Sequence, residues 1–306
     1  MQNTGTEDSF QAGQKAPVHQ PVMVDEVLLY LNLKNAQLVV DGTCGEGGHS
    51  QAILSHLPEN ATLLVMDRDQ EVLEVAKGRL SGKGRILFAN ASYAELVDVL
   101  RSYKLSKPDA VLLDLGMSTY HIKEKERGFS FDSPSLDMRY DRTRGITAED
   151  FLAEGSEEEI GRVLRDYGEE RKAKYIARLI VKERKHNRIT SGKQLANLIE
   201  RHIRRQGRIH PATCTFQALR IYVNDELDHL MRFLEILPYV VAQRGRFVSI
   251  TFHSLEDRIV KNGMREYAQK GYMRILTKKV VRPSADEVYK NPNSRSARLR
   301  AVEMII

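Results

Sequence analysis

A chain of 306 residues, 42% of them hydrophobic, can bury a substantial core and is long for one compact domain, so one large domain with an insertion, or two domains, is the starting expectation. Lysine and arginine outnumber aspartate and glutamate by 47 to 41; an anionic partner is compatible with that balance, and where the charge clusters decides more than the total. The two cysteines, Cys44 and Cys214, make neither a CxxC pair nor a His/Cys metal spacing, which excludes a disulfide framework and a zinc ribbon and fits a reducing cytoplasm.

Residues 1–18 lack the apolar stretch of a secretory leader and are expected to form a disordered tail. No run approaches the ~18 consecutive apolar residues of a membrane span, so no membrane association is expected. From about residue 20, short apolar runs alternate with longer helical ones, the signature of an α/β sheet layered with helices. Strands are predicted at 37–41, 62–67, 85–88 and 109–114, with helices near 51–57 and 70–80 between the first three. About a hundred residues without strand character follow Asp114: an aromatic-rich loop at 128–145, then helices at 148–154, 157–167, 169–186 and 192–205. Ser156 with Glu159 makes a capping box for the second of these helices, and Gly168 suits the turn that ends it.

One long amphipathic helix is predicted from the spacing of Phe216, Leu219, Val223, Leu227, Leu230 and Leu234. A strand follows at 246–252, and two last apolar stretches, 273–281 and 297–306, have no helix-length segment between them and should pair antiparallel. The expected organisation is a catalytic domain formed by 19–120 and 210–306, with a mainly helical substrate-recognition domain inserted at 121–209.

The segment VVDGTCGEGGHS (39–50) runs from a strand ending in Asp41 through a glycine-rich turn into a helix. Dinucleotide-binding turns need a third glycine where this chain has Ser50, and a carboxylate beside two phosphate charges is repulsive. The same carboxylate suits the cationic amino group and sulfonium of S-adenosylmethionine. The pattern D-x-T-x-G-x-G resembles the first motif of Rossmann-like class I methyltransferases, with Thr43 in place of the usual first glycine. Asp67 ends the second strand, 26 residues after Asp41, where an acid can accept both ribose hydroxyl protons, while Asp69 is better placed to cap the next helix. Asp114 ends the fourth strand at the same edge of the sheet.

These residues, with HQPVMVDEV (19–27), MDRD (66–69), LLDLGMS (112–118), ERGFSF (126–131), LDMRYD (136–141), YGEER (167–171), HPATCTFQALRIYVNDEL (210–227), FHSLEDRIVK (252–261) and NPNSRSARLR (291–300), resemble the bacterial ribosomal small-subunit methyltransferase H family over about residues 19–302. That resemblance implies S-adenosylmethionine as cofactor and methylation of a cytosine N4 in the decoding region of 16S rRNA, within the small ribosomal subunit and in the cytoplasm, with no DNA partner and no metal. It also implies cofactor contacts at Gly47, Gly48, His49, Asp67 and Asp114. Two family contacts depart: a usual Phe is Ala91, for which Tyr93 can supply the aromatic surface, and a usual Gln is His121, which keeps one hydrogen bond available. Tyr140 replaces a commoner Met in a loop expected to tolerate it.

Cytosine N4 shares its lone pair with the ring, so acceptors aimed at its hydrogens, and positioning, should carry the chemistry. Asp114 and His253 are the candidate catalytic groups, with Asp114 also a cofactor contact. Ser254 is expected to cap the following helix with Asp257 at the third position. Between Arg162 and Arg208 there are fifteen Lys or Arg against five Asp or Glu, and Arg171, Lys174, Arg178, Lys182 and Lys185 share one helical face. A second basic cluster, Arg274, Lys278, Lys279, Arg282, Arg295, Arg298 and Arg300, should lie across the cleft, and the two together suit phosphate tracking. Phe129 and Phe131 could stack on an extruded base, though burial is the commoner fate of a phenylalanine.

Overall fold

The computed structural model describes residues 21–306 apart from 83, 206 and 208, so the expected tail at 1–18 lies outside the described residues. Seven strands form one sheet: β1 (Leu38–Asp41), β2 (Thr62–Asp67), β3 (Arg85–Asn90), β4 (Ala110–Asp114), β5 (Arg246–Thr251), β6 (Met273–Ile275) and β7 (Arg298–Met304). Their order is β3-β2-β1-β4-β5-β7-β6. The first five run parallel, and β7 is antiparallel to both β5 and β6. This is the Rossmann-like sheet with a terminal antiparallel hairpin expected from the sequence. Strands β1, β2 and β4 read as continuous apolar runs because helices cover both faces. One face packs on the helices Leu96–Ser102, Glu226–Val240 and Ser254–Gln269, the other on Val24–Leu31, Gly48–Leu54 and Gln70–Arg79. The chain builds outward from β1 to β3 and then crosses back to β4, so the winding reverses between β1 and β4. Ligands of open α/β sheets bind at the carboxyl ends of the strands beside such a reversal.

A separate hydrophobic cluster, running from Phe129 to Leu219, belongs to the helical insertion. It extends past residue 209, because Phe216, Ala218 and Leu219 of the helix Thr213–Val223 pack into it rather than against the sheet. The single long helix expected here is two: Thr213–Val223 and Glu226–Val240 are broken at Asn224 and Asp225, the latter left-handed at φ 47°. The break has a cause. The buried Asn224 amide donates to the carbonyls of Met138 (2.7 Å) and Arg220 (2.9 Å), and its oxygen accepts from the Tyr140 amide at 2.7 Å, which ties the helix end to the insertion loop.

Smaller differences follow from local packing. Gly168 is the last residue of its helix rather than its turn, because a Cβ there would stand 2.5 Å from the Cys214 carbonyl oxygen; Glu169 takes the left-handed cap at φ 50°. The expected capping box of Ser156 and Glu159 is present. The helix expected at 169–186 is shortened to Ala173–Arg184, and the first helix after the glycine turn begins earlier, at Gly48. Between β6 and β7 lies a short helix, Ala285–Lys290, that was not expected. Among the described residues no helix is long and apolar enough to cross a membrane.

The insertion loop is fastened to the sheet by a buried arginine. Arg127, 2% exposed, places Nη2 2.6 Å from Asp69 Oδ2 and Nη1 2.9 Å from Glu71 Oε2, and donates to the carbonyls of Arg139 (2.8 Å) and Tyr140 (3.1 Å). Burial alone would raise the Asp69 carboxyl, but His121 and Arg127 hold it below its usual range. Asp69 also caps the Gln70–Arg79 helix, as expected. Removing one partner of such a pair strands the other charge, so Arg127→Met should lower the unfolding free energy by about 3–5 kcal/mol in urea titration. A loss below ~1 kcal/mol would mean that the loop is held by its apolar contacts alone.

Candidate functional site

The glycine turn is stitched to the strands on either side of β1. The amide of Gly42 donates to the Leu112 carbonyl and that of Cys44 to the Met66 carbonyl, both at 2.9 Å. Gly45 (φ 54°) and Gly47 (φ 89°) adopt the left-handed conformation that lets the turn double back, and Gly47 caps the Gly48–Leu54 helix. Thr43, in place of a glycine, accepts the Asp114 amide on Oγ1 at 2.6 Å, so the departure from the usual motif joins β1 to β4. Ser50, in place of the third glycine, donates to Asp41 Oδ2 at 2.6 Å.

The three strand-end acids stand in different surroundings. Asp41 is fully buried, accepts Ser50 and the Thr43 amide (3.2 Å), and is pushed up to about 6 by burial. Asp67 accepts the amides of Gly45 and Asp69, each at 2.9 Å, and burial raises it too. Asp114 Oδ2 lies 3.3 Å from Nε2 of the buried His49. Burial alone would lower the His49 imidazole, but the Asp114 carboxylate outweighs it and raises it. Asp114 Oδ1 and His49 Nδ1 are buried with no hydrogen-bond partner among the described residues.

A cavity of about 930 Å³ opens along this edge, near the upper end of the ~300–1,000 Å³ typical of small-molecule sites. Of the expected cofactor contacts, Gly47, Gly48, His49, Asp67, Tyr93, Asp114 and His121 line it. Asp41 does not: its carboxylate is turned beneath the loop, where it braces the turn. Tyr93 lines the cavity where Ala91 does not, its ring set edge-on to Phe233 at 5.7 Å. His121 Nε2 is held by Asp69 at 2.9 Å, which leaves Nδ1 as its free nitrogen. Orphaned acceptors, a backbone turn at close approach and an aromatic wall make a donor set suited to a polar, cationic, nucleoside-bearing ligand.

His253 does not line this cavity, although its neighbours Phe252 and Glu256 do. His253, not Ser254, caps the Ser254–Gln269 helix, with Glu256 at the third position. Glu256 accepts the Phe252 amide at 2.9 Å, and its other oxygen lies 3.0 Å from His253 Nε2. Ser254 instead turns to Glu169 of the insertion. The longer reach of a glutamate decides this: Glu256 returns to the cap, while Asp257 binds Arg300 through two bonds of 2.8 and 3.1 Å.

One charged wall of the cavity was not anticipated from the sequence. Glu226 is clasped by Arg220 (2.8 and 2.9 Å) and accepts the Tyr140 hydroxyl at 3.1 Å, and all three residues line the cavity. The available signal was charge on apolar helix faces: Arg220 lies one position from Leu219, and Glu226 opens its helix. Ligand atoms of Glu226, His253 and Glu256 come within 4.8 Å of one another, but the guanidinium on Glu226 already supplies the positive charge there. Phe129 is buried, stacked on Tyr140 at 5.5 Å, and Phe131 stacks on His210 at 4.5 Å, so both serve packing in this structure. Tyr140 is thus part of the wall. The five cations Arg171, Lys174, Arg178, Lys182 and Lys185 are all exposed along one side of the insertion.

Comparison with known proteins agrees with this geometry. The model of the MraW methylase family matches residues 16–305. The chain is 45% identical over 289 residues to a protein of Dictyoglomus thermophilum named ribosomal RNA small subunit methyltransferase H, covering 94% of this chain and 96% of that protein. To a protein of the same name from Thermotoga neapolitana it is 46% identical over 292 residues, with coverages of 94% and 96%.

The elevated Asp41 gives a pH test. A carboxyl raised in the folded state above its unfolded value binds its proton earlier when folded, so its burial costs stability above about pH 6, and that cost is relieved as pH falls from about 6 toward 3.8. The Asp41→Asn variant lacks this response. Its melting temperature relative to the parent should therefore be more favourable at pH 8 than at pH 4.5 by about 5 °C, read by calorimetry at the two pH values. Equal differences at both would show that Asp41 is ionised without penalty.

Proposed function

The chain belongs to the MraW methylase family, and on that premise we propose that it transfers a methyl group from S-adenosylmethionine to N4 of a cytosine in the decoding region of 16S rRNA, acting in the cytoplasm on the small ribosomal subunit. The observation that supports this reading most is the placement of Asp67 and Asp114 on one cavity wall, at the reversal point of the sheet, with a second charged wall contributed from beside the insertion. When bound, S-adenosylmethionine supplies an electrophilic methyl group, so the protein's contribution is position and charge rather than covalent catalysis.

Asp67 holds the ribose hydroxyls with the lone pairs left over from the Gly45 and Asp69 amides. The open backbone at Gly47 and Gly48 admits the amino-acid end, and the rings of Tyr93 and His121 border the adenine. His49, 3.3 Å from Asp114 Oδ2, holds the carboxylate at the cavity wall, where it accepts an N4 hydrogen and orients the amine. Once methylated, the nitrogen is strongly acidic, so Asp114 or water suffices as proton acceptor. His253, committed to its helix cap and to Glu256, acts on this region through the position of Glu256.

The substrate assignment is tested by incubating unmodified 30S particles, and naked 16S rRNA in parallel, with methyl-labelled cofactor and identifying the modified nucleoside by mass spectrometry. N4-methylcytidine within the decoding region is the expected product; label on carbon 5 of the ring, on a purine or outside that region would overturn the assignment. The cofactor assignment is tested by Asp67→Ala, which should weaken S-adenosylmethionine binding by ~1–3 kcal/mol in calorimetric titration, the scale of hydrogen bonds lost from a charged acceptor. Because Asp67 also holds the glycine turn, the folded fraction is measured alongside. An unchanged affinity would remove Asp67 from the cofactor site.

A further inference from the structure

A second, smaller pocket of about 270 Å³ lies beside the main cavity. Arg258 and Lys261 reach it from the Ser254–Gln269 helix, Arg282 from the chain after β6, and Arg298 from the start of β7, with Ser254, Asp257 and Val280 completing the wall. The charges sort by what already neutralises them. Asp257 is taken by Arg300, and Arg258 reaches Glu169 at 3.2 Å. Lys261, Arg282 and Arg298 have no ion-pair partner among the described residues, so three unneutralised cations converge on one concave surface. Neutralising them costs nothing elsewhere in the fold, and bringing them together is unfavourable unless an anion joins them.

The location gives the anion its identity. Phe252 and Glu256 line the main cavity, while Ser254, Asp257 and Arg258 line the small pocket, so the two share the first turn of one helix. One residue, His253, separates Phe252 from Ser254, a span of at most ~7.2 Å, comparable with the spacing of successive nucleotides. A strand whose base enters the main cavity therefore carries its backbone past the small pocket. The face of Arg171, Lys174, Arg178, Lys182 and Lys185 differs in kind: its side chains are exposed and line neither pocket, which suits diffuse attraction rather than seating one group.

We propose that Lys261, Arg282 and Arg298 form a seat for a phosphodiester of the RNA strand next to the target nucleotide, fixing the strand so that the base is presented to the methyl-transfer cavity. This rests on the reading of the chain as an RNA methyltransferase. The seat takes Arg282 and Arg298 from the second basic cluster and adds Lys261; Arg274 is paired with Glu303 and Arg300 with Asp257, and Lys278, Lys279 and Arg295 do not line the pocket.

The test compares the full-length parent, the triple variant Lys261→Gln, Arg282→Gln, Arg298→Gln, and a charge-matched control, Lys34→Gln, Lys104→Gln, Lys107→Gln, whose exposed lysines precede β1 and β4 at the opposite edge of the sheet. Binding to unmodified 30S particles and to a decoding-region oligonucleotide is measured over a range of salt, with S-adenosylmethionine affinity as a check on folding. The pocket variant should keep its cofactor affinity, lose ~10-fold or more in RNA affinity at low salt, and show a salt slope shallower by ~0.7 for each phosphate contact removed. The control should match the parent. RNA affinity and slope equal to the parent's in the pocket variant, or an equal loss in the control, would overturn the seat. Inorganic phosphate displacing the oligonucleotide at a similar concentration would also overturn it, since the pocket would then take a free ion rather than a strand. These measurements read binding alone, so a seat that fails leaves the product analysis standing, and a wrong product leaves the binding result interpretable.

Discussion

Three carboxylates, Asp41, Asp67 and Asp114, stand at the carboxyl ends of three neighbouring strands, and the rest of the site is arranged around the cost of bringing them together out of water. Each cost is met differently. Asp41 is sunk beneath the turn and given a hydroxyl and an amide; Asp67 receives two amides; Asp114 is paired with an imidazole. None of these donors is a permanent full cation at neutral pH; of the arginines lining the cavity, Arg220 is paired with Glu226 and Arg79 with Glu46, and Arg68 donates to the Asn224 carbonyl, while Arg127 is paired with Asp69. The edge is left with an excess of negative charge facing a cavity, which is the electrostatic condition for holding a cationic methyl donor rather than a nucleotide phosphate. Of the residues that depart from a dinucleotide-binding turn, Ser50 supplies one of those donors, to Asp41, while the Thr43 hydroxyl accepts the Asp114 amide and joins β1 to β4.

The second constraint is mechanical. A cavity between a sheet and an inserted helical unit has a shape only if the two are fixed relative to each other. The buried Arg127 and the Asn224 amide do this from opposite sides of the loop at 138–140. The same loop carries Tyr140, whose hydroxyl meets Glu226, so the fastening residues and the cavity wall are continuous. Ser254 and Arg258 reach across to Glu169 and add a third tie from the helix that follows β5. The cavity-facing surface is thus assembled from segments far apart in sequence, held by buried polar contacts at Arg127 and Asn224 and by exposed ones at Glu169.

This division explains what could be read from the sequence. The strands ending in Asp41, Asp67 and Asp114 were legible because apolar runs closed by an acid and a glycine turn are local patterns, and their order along the chain already implies a shared edge. The terminal antiparallel pair was legible from two apolar stretches too close in sequence for a parallel crossover, although the short helix Ala285–Lys290 lies between them. The break at Asn224 was not, since the apolar spacing from Phe216 to Leu234 continues across it and only the contacts of Asn224 with Met138 and Tyr140 show why the helix stops. His253 and Glu256 as the cap, with Ser254 turned to Glu169, were hidden because the competing Ser254–Asp257 pair has the same spacing and the choice depends on Arg300, about forty residues away. The Arg220–Glu226 wall was hidden for a related reason: a charge on a helix is usually solvated, and its burial depends on the loop folded over it.

The most direct test of the account is a crystal structure of the full chain with S-adenosylmethionine bound. It should show both ribose hydroxyls donating to Asp67, the amino-acid end against Gly47 and Gly48, and the methyl group directed past Asp114 into the part of the cavity bounded by Arg220, Glu226 and Phe252. A ligand bound elsewhere, or one in the cavity with its ribose turned away from Asp67, would contradict the assignment of the acid-edged cavity as the methyl-donor site.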